Sequence, residues 1–331
     1  MIARNPPACR RFSSAVGGVL AATLALVTLC GCTSTPSNSG ATTTSTPANP
    51  GMQTPADTSQ QGTIERVDYR TTHDGAAIDK HALVYLPAGY SERDRQRYDV
   101  LYLMHGAGMT ADTWFGGPGE DRPLKNLLDN IIASGTAKPM IVVTPTFYPD
   151  DDATMDLHVA GELDRAFHTE LDADLMPAVE GRYRTFVDSV DDAGFSASRD
   201  HRAFGGFSMG AVTTWYTFIN ELDWFRYYLP MAGDSWVIRD TGGMIEPQRT
   251  AQYLADVASD SSMDGDDYRI LASVGSADGT IGQMQPQIDA MRAFPDRFDD
   301  DALRFTVDPE GGHDEESFQN QITTSLPFLF R

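Results

Sequence analysis

His201-Arg202-Ala203-Phe204-Gly205-Gly206-Phe207-Ser208-Met209-Gly210-Ala211-Val212-Thr213-Thr214-Trp215 is the run whose reading decides the architecture of the whole chain. Its first part, His201–Phe207, has the composition of a short buried strand, and Met209 opens a helical run. Between them lies Gly206-Phe207-Ser208-Met209-Gly210. A Gly-x-Ser-x-Gly turn joining a strand directly to a helix lets the two backbones pass closely. It leaves the serine hydroxyl exposed at the mouth of the sheet and turns the following N–H toward a developing negative charge. Ser208 therefore reads as a nucleophile and the Met209 N–H as an oxyanion donor.

Working outward, β-rich runs alternate with helical patterns, the signature of a sheet covered by helices on both faces. Strands are expected at Thr63–Tyr69, Ala82–Leu86, Val100–Met104, Met140–Thr144, His201–Phe207, Tyr227–Met231, Tyr268–Val274 and Leu303–Val307. These make one open, mostly parallel eight-stranded sheet. Asp74-Gly75 is a turn pair, so the first two strands should be antiparallel. Leu124, Leu127, Leu128, Ile131 and Ile132 recur at helical spacing after Pro123. Further helices are expected at Glu162–Met176, Met209–Asn220, Arg249–Ala258, Gln285–Phe294 and Glu316–Phe328. Ligands of such sheets bind beyond the carboxyl ends of the strands.

The 331 residues are 41% hydrophobic and 22% charged, which excludes a disordered or multi-span membrane protein as the main body. A formal charge of −22 repels phosphate backbones, so nucleic acid is not an expected partner. All three cysteines, Cys9, Cys30 and Cys32, lie in the first 32 residues. The remainder can hold neither a disulfide nor a cysteine nucleophile.

Arg4, Arg10 and Arg11 precede an uncharged apolar stretch, Ala15 to Leu29, as in a secretory signal. That stretch is short for a membrane span. Leu29-Cys30-Gly31-Cys32 resembles the lipobox of bacterial lipoproteins, in which cleavage leaves the last cysteine lipid-modified. The resemblance implies that residues 1–32 are a signal peptide, that Cys32 is lipidated, and that the exported protein is anchored to the cell membrane; plain secretion is the alternative. Residues 33–62, rich in Thr, Ser and Pro, read as a flexible linker and 63–331 as one α/β domain.

A serine nucleophile needs a base, which in this strand–turn–helix context follows it in the chain. His313 alone does so, in Glu310-Gly311-Gly312-His313 just past the last expected strand. The third member is a carboxylate that holds the imidazole tautomer. Of fifteen aspartates between Ser208 and His313, two directly follow strands: Asp278, in Gly275-Ser276-Ala277-Asp278, and Asp234, in Ala232-Gly233-Asp234. Asp278 stands one strand before the histidine loop and is preferred; Asp234 is the alternative. His105-Gly106-Ala107-Gly108 is an H-G-x-G loop that can supply a second oxyanion donor, from the N–H of Ala107 or of Gly108. Acyl transfer by such a set requires no metal or cofactor.

Leu103-Met104-His105-Gly106, Pro139 to Thr146, Gly205 to Gly210, Thr214-Trp215-Tyr216, Gly233-Asp234-Ser235-Trp236 and Met284 to Met291 occur in one order. With these blocks the chain resembles esterase D-type α/β-hydrolases, and among them the feruloyl esterase domains of carbohydrate esterase family 1. The resemblance implies an α/β-hydrolase fold and a serine esterase with Ser208, His313 and Asp278 as its triad. It further implies that Trp236 lines the substrate cleft, where its face could stack on a cinnamoyl ring. The expected substrate is a small ester or an esterified polysaccharide. Such domains often carry tryptophans after the histidine, whereas here Asp314-Glu315-Glu316 follows, so acetyl groups on xylan-type sugars stay open beside ferulate. An acyltransferase of the mycolyltransferase type would use the same triad. A solute-binding lipoprotein is the rival without catalysis.

Overall fold

The computed structural model describes residues 43–44 and 50–331. The leader, Cys32 and the part of 33–62 before Pro50, apart from Thr43 and Thr44, lie outside the described residues.

The strands are β1 (Thr43–Thr44), β2 (Thr63–His73), β3 (Ala76–Leu86), β4 (Asp99–Met104), β5 (Met140–Thr144), β6 (Arg202–Phe207), β7 (Tyr227–Met231), β8 (Arg269–Gly275) and β9 (Leu303–Asp308). The helices are α1 (Pro123–Ala133), α2 (Leu157–Glu170), α3 (Met176–Glu180), α4 (Asp192–Ala197), α5 (Met209–Asn220), α6 (Gly242–Ile245), α7 (Pro247–Asp260), α8 (Ile281–Met291) and α9 (Glu315–Ser325). All eight expected strands form. They run in the order β9-β8-β7-β6-β4-β5-β3-β2, parallel except where β3 joins β5 and β2 joins β3. Helices cover both faces: α2 packs on α5 and α7 on α8, while α1 lies against α9. The fold is that of an α/β-hydrolase. Central strands β4, β5, β6 and β7 are buried along their whole length, as strands covered on two faces must be.

Four departures from the sequence-based expectation have local causes. The hairpin is longer than expected: β2 and β3 pair over eleven residues each, closed by Asp74 (φ 49°) and Gly75 (φ 76°). A ninth strand, β1, pairs parallel with β9 through Thr43 opposite Thr306 and Thr44 opposite Val307. An open sheet edge accepts any extended β-branched pair, which composition alone does not reveal. The carboxyl end of the 33–62 stretch is docked as well: Asn130 Nδ2 donates to the carbonyls of Met52 and Thr54, and Asn126 Nδ2 to that of Gln53. Finally, α2 starts at Leu157 rather than Glu162, because the Asp156 carboxylate accepts from the N–H groups of His158 and Val159. It then continues through a π-helical turn, Leu171–Leu175, into α3. Among the described residues no helix is long and apolar enough to cross a membrane.

At the end of β6 away from Ser208, Arg202 is buried with Glu180 in a two-pronged pair at 2.7 and 3.0 Å. Its remaining donors meet the carbonyls of Phe195 and Trp224 and the Ser198 hydroxyl. Removing one member strands the other charge in the core. Arg202→Ala should lower unfolding free energy by about 3–5 kcal/mol in urea titrations, and a loss under about 1 kcal/mol would contradict this account.

Candidate active site

The turn after β6 holds Ser208 at φ 59° and ψ −117°, in the left-handed half of backbone space. That strained geometry is sustained from both sides. The Ser208 N–H donates to the Met231 carbonyl at 2.9 Å, and its carbonyl accepts from Ala211. The two motif glycines are required by close approach: a Cβ on Gly206 would sit 2.4 Å from the Gly210 carbonyl oxygen, and one on Gly210 2.5 Å from that of Met104.

The structure brings three distant stretches together. His313 Nε2 lies 2.9 Å from Ser208 Oγ, and His313 Nδ1 lies 2.8 Å from Asp278 Oδ2. Ser208 is half-buried, the imidazole is 39% exposed and the Asp278 side chain is fully buried. The ring is held laterally by Phe207, with centroids 4.7 Å apart. Thr280 is a supporting residue not anticipated from sequence. Its N–H and hydroxyl donate to Asp278 Oδ1 at 2.8 and 2.7 Å, leaving Oδ2 for the histidine. Burial pushes the Asp278 carboxyl up, but the hydrogen bonds from His313 and Thr280 outweigh it and hold the group below the usual carboxylate range. The alternative acid, Asp234, is engaged elsewhere: it accepts from Trp236 Nε1 at 3.1 Å and from the Met244 N–H at 3.0 Å.

Asp314, Glu315 and Glu316 have a local explanation. Asp314 caps α9 by accepting from the Ser317 N–H at 2.9 Å, and the two glutamates occupy the first turn, where the helix dipole favours negative charge. The acids after His313 thus help to start a helix immediately beside the imidazole.

The H-G-x-G loop, His105 to Gly108, follows β4. The Gly108 N–H is committed to the Thr154 carbonyl and the Tyr148 hydroxyl, whereas the N–H groups of Ala107 and Met209 meet no protein acceptor among the described residues. His105 braces this loop. It is buried, with Nδ1 2.8 Å from the Gly106 carbonyl and Nε2 2.7 Å from Thr146 Oγ1, and it stacks on Tyr148. Burial lowers its pKa to about 4, against the opposing pull of the Gly106 carbonyl, so the ring stays neutral. The sign of the linkage follows. Below the unfolded value of about 6.5 the unfolded chain takes up a proton that the folded one refuses until about pH 4. Stability should therefore fall by about 3 kcal/mol from this group as pH drops through that window. Urea midpoints between pH 7 and 4 check this against His105→Gln; equal slopes in both proteins would contradict it.

Trp236 is only 7% exposed. Its indole packs over Gly161, where an added Cβ would come within 2.9 Å of the ring, and Met209 closes the same layer. It forms a packed wall behind the residue next to Ser208 rather than an open stacking platform. Met155, by contrast, is 72% exposed and lays its thioether across Gly108.

The chain matches the Esterase family model over residues 78–329. It is 35% identical, over 79% of its own length, to endo-1,4-beta-xylanase Y of Acetivibrio thermocellus, and 27% identical over 58% to an endo-1,4-beta-xylanase/feruloyl esterase of Xylanibacter ruminicola. It spans only 23% and 24% of those two curated relatives. Among solved structures, a mutant feruloyl esterase module from Clostridium thermocellum complexed with sinapinate superposes with a TM-score of 0.74. That pair is 34% identical, and the match covers 88% of this chain and 95% of that one. A ferulic acid esterase from the anaerobic fungus Anaeromyces mucronatus shares the fold at TM-score 0.62 and 19% identity, covering 88% of this chain and 98% of that one. On the extent of the family match and the shared architecture, this chain belongs to the Esterase family, built on the α/β-hydrolase fold.

Proposed function

We propose that the protein is a serine esterase that cleaves hydroxycinnamoyl esters, of the feruloyl type, from plant cell-wall polysaccharide. The observation that carries this reading is the unbroken chain Ser208 Oγ to His313 to Asp278 at 2.9 and 2.8 Å. In the first step Ser208 Oγ bonds to the ester carbonyl carbon while His313 Nε2 takes its proton. The carbonyl oxygen, now negative, is met by the Met209 and Ala107 amides. Collapse expels the sugar alkoxide, which receives that proton from His313. Water then repeats the sequence on the acyl-enzyme, releasing the free acid and restoring Ser208. The aromatic acyl group is supported by the relatives, one a feruloyl esterase module complexed with sinapinate, and by the exposed, polarisable thioether of Met155 beside the oxyanion loop.

Methyl ferulate, acetylated xylan and p-nitrophenyl acetate assayed side by side test the proposal. The expected result is the highest kcat/KM on methyl ferulate with stoichiometric ferulic acid. Preferred release of acetate from xylan, or transfer of a lipid acyl group to trehalose in place of hydrolysis, would overturn it.

The same reading includes export and attachment to the cell membrane through lipid on Cys32, supported by Leu29-Cys30-Gly31-Cys32 after the basic and apolar leader. Cys32→Ala should move the protein from the detergent phase to the aqueous phase in Triton X-114 partitioning.

A further inference from the structure

Away from the triad, the last turn of α2, the π-helical turn and the carboxyl end of α5 converge. His168 belongs to α2, Asp172 to the π-helical turn, and Glu221 is the residue that ends α5. His168 and Asp172 are four apart on a continuous helical path, which sets both on one face. Each of the three residues offers one ligand atom, and these atoms all lie within 4.8 Å of one another. Two carboxylates are thereby held together without a lysine or arginine paired to either among the described residues.

Two features mark the cluster as a place that gains from added positive charge. The Glu221 side chain is only 7% exposed and lies within hydrogen-bond reach of the Asp172 carboxyl; its single ion-pair partner among the described residues is His168 Nδ1 at 3.5 Å, beyond good hydrogen-bond distance. Asp172 Oδ1 is sealed from solvent and has no hydrogen-bond partner. A buried carboxylate oxygen without a donor bears its full desolvation cost. A π-helical insertion is rare in a helix and recurs at functional sites, and here it carries Asp172.

We propose that His168, Asp172 and Glu221 form a binding site for a divalent transition-metal ion of the zinc class. One imidazole nitrogen and two carboxylate oxygens are donors suited to zinc, whereas calcium takes six to eight oxygens and magnesium keeps its waters. The His168 side chain is 32% exposed, which leaves an entry path and room for a water ligand. Bound there, the ion would tie the end of α5 to α2. Because α5 begins at the nucleophile, the site would stabilise the helix that presents Ser208 without taking part in chemistry.

The test uses the purified full chain stripped with EDTA and titrated with zinc chloride, following binding by calorimetry and melting temperature in parallel. The expected result is one equivalent bound and a melting temperature that rises with zinc and saturates, with no comparable rise from calcium or magnesium. Asp172→Asn and Glu221→Gln should each weaken zinc binding by at least about tenfold and abolish the thermal response. Should a buried variant fail to fold, the more exposed His168→Gln must show the same loss. Zinc binding unchanged in the variants would assign it to other surface acids and overturn the site. So would the absence of a thermal response in the wild-type protein, or an equal response to calcium.

Discussion

Replacing Ser208 by alanine should remove ester turnover, with kcat on methyl ferulate falling by about 10⁴–10⁶-fold while the protein stays folded. The size of the effect follows from the role the proposed mechanism gives Ser208 Oγ, as the atom that forms the covalent bond, and from its being the only described partner of His313 Nε2. Stability should hardly change. The backbone strain at Ser208 is held by its own N–H and carbonyl bonds, which alanine retains, and the half-buried hydroxyl gives up a single hydrogen bond. A change in unfolding free energy within about 0.5 kcal/mol is expected. Under the proposed mechanism substrate affinity should survive, because the Met209 and Ala107 amides are untouched. Single-turnover acid release by the purified variant at more than about 1% of the wild-type rate would refute the nucleophile assignment.

Asp278→Asn should lower kcat by about 10⁴-fold with KM nearly unchanged. Thr280 determines why. Its two donors bind Oδ1, so an asparagine keeps its carbonyl oxygen there and turns its NH₂ toward His313 Nδ1. Two donors then face each other unless the imidazole moves its proton to Nε2, and in that tautomer Nε2 cannot accept the serine proton. The geometry would be preserved and the base lost. Asp234→Asn is the control: its carboxylate holds Trp236 and the Met244 N–H, so it should alter packing but leave kcat within about tenfold of wild type. Comparable losses in both variants would undo the distinction between the two aspartates.

What could be read before folding was mainly what is local or ordered along the chain. The Gly-x-Ser-x-Gly turn is legible because a serine with glycines two residues to either side, between an apolar strand and a helical run, fits a sharp strand-to-helix turn, and His313 because only one histidine follows Ser208. Eight of the nine described strands were legible, since buried β-branched runs stand out, but less so at their ends. The hairpin extends through Arg70, Thr71, Thr72 and through Ala77, Ile78, Asp79, where exposed polar residues weaken the apolar pattern while the backbone ladder continues. Residues 50–62 read as part of a flexible linker, yet the carbonyls of Met52, Gln53 and Thr54 are gathered by Asn126 and Asn130, a contact between segments more than seventy residues apart.

Sequence alone therefore determined the α/β architecture, the serine and its histidine, because strand period, turn sterics and chain order are properties of neighbours. Tertiary structure decided which of two aspartates meets the imidazole and which of two loop amides is left uncommitted. It also placed Trp236 behind Met209 as a packed wall and drew His168, Asp172 and Glu221 into one cluster. Each of those outcomes depends on hydrogen bonds and burial between residues far apart in the chain, and such partners are assigned only when the sheet and its helices close around them.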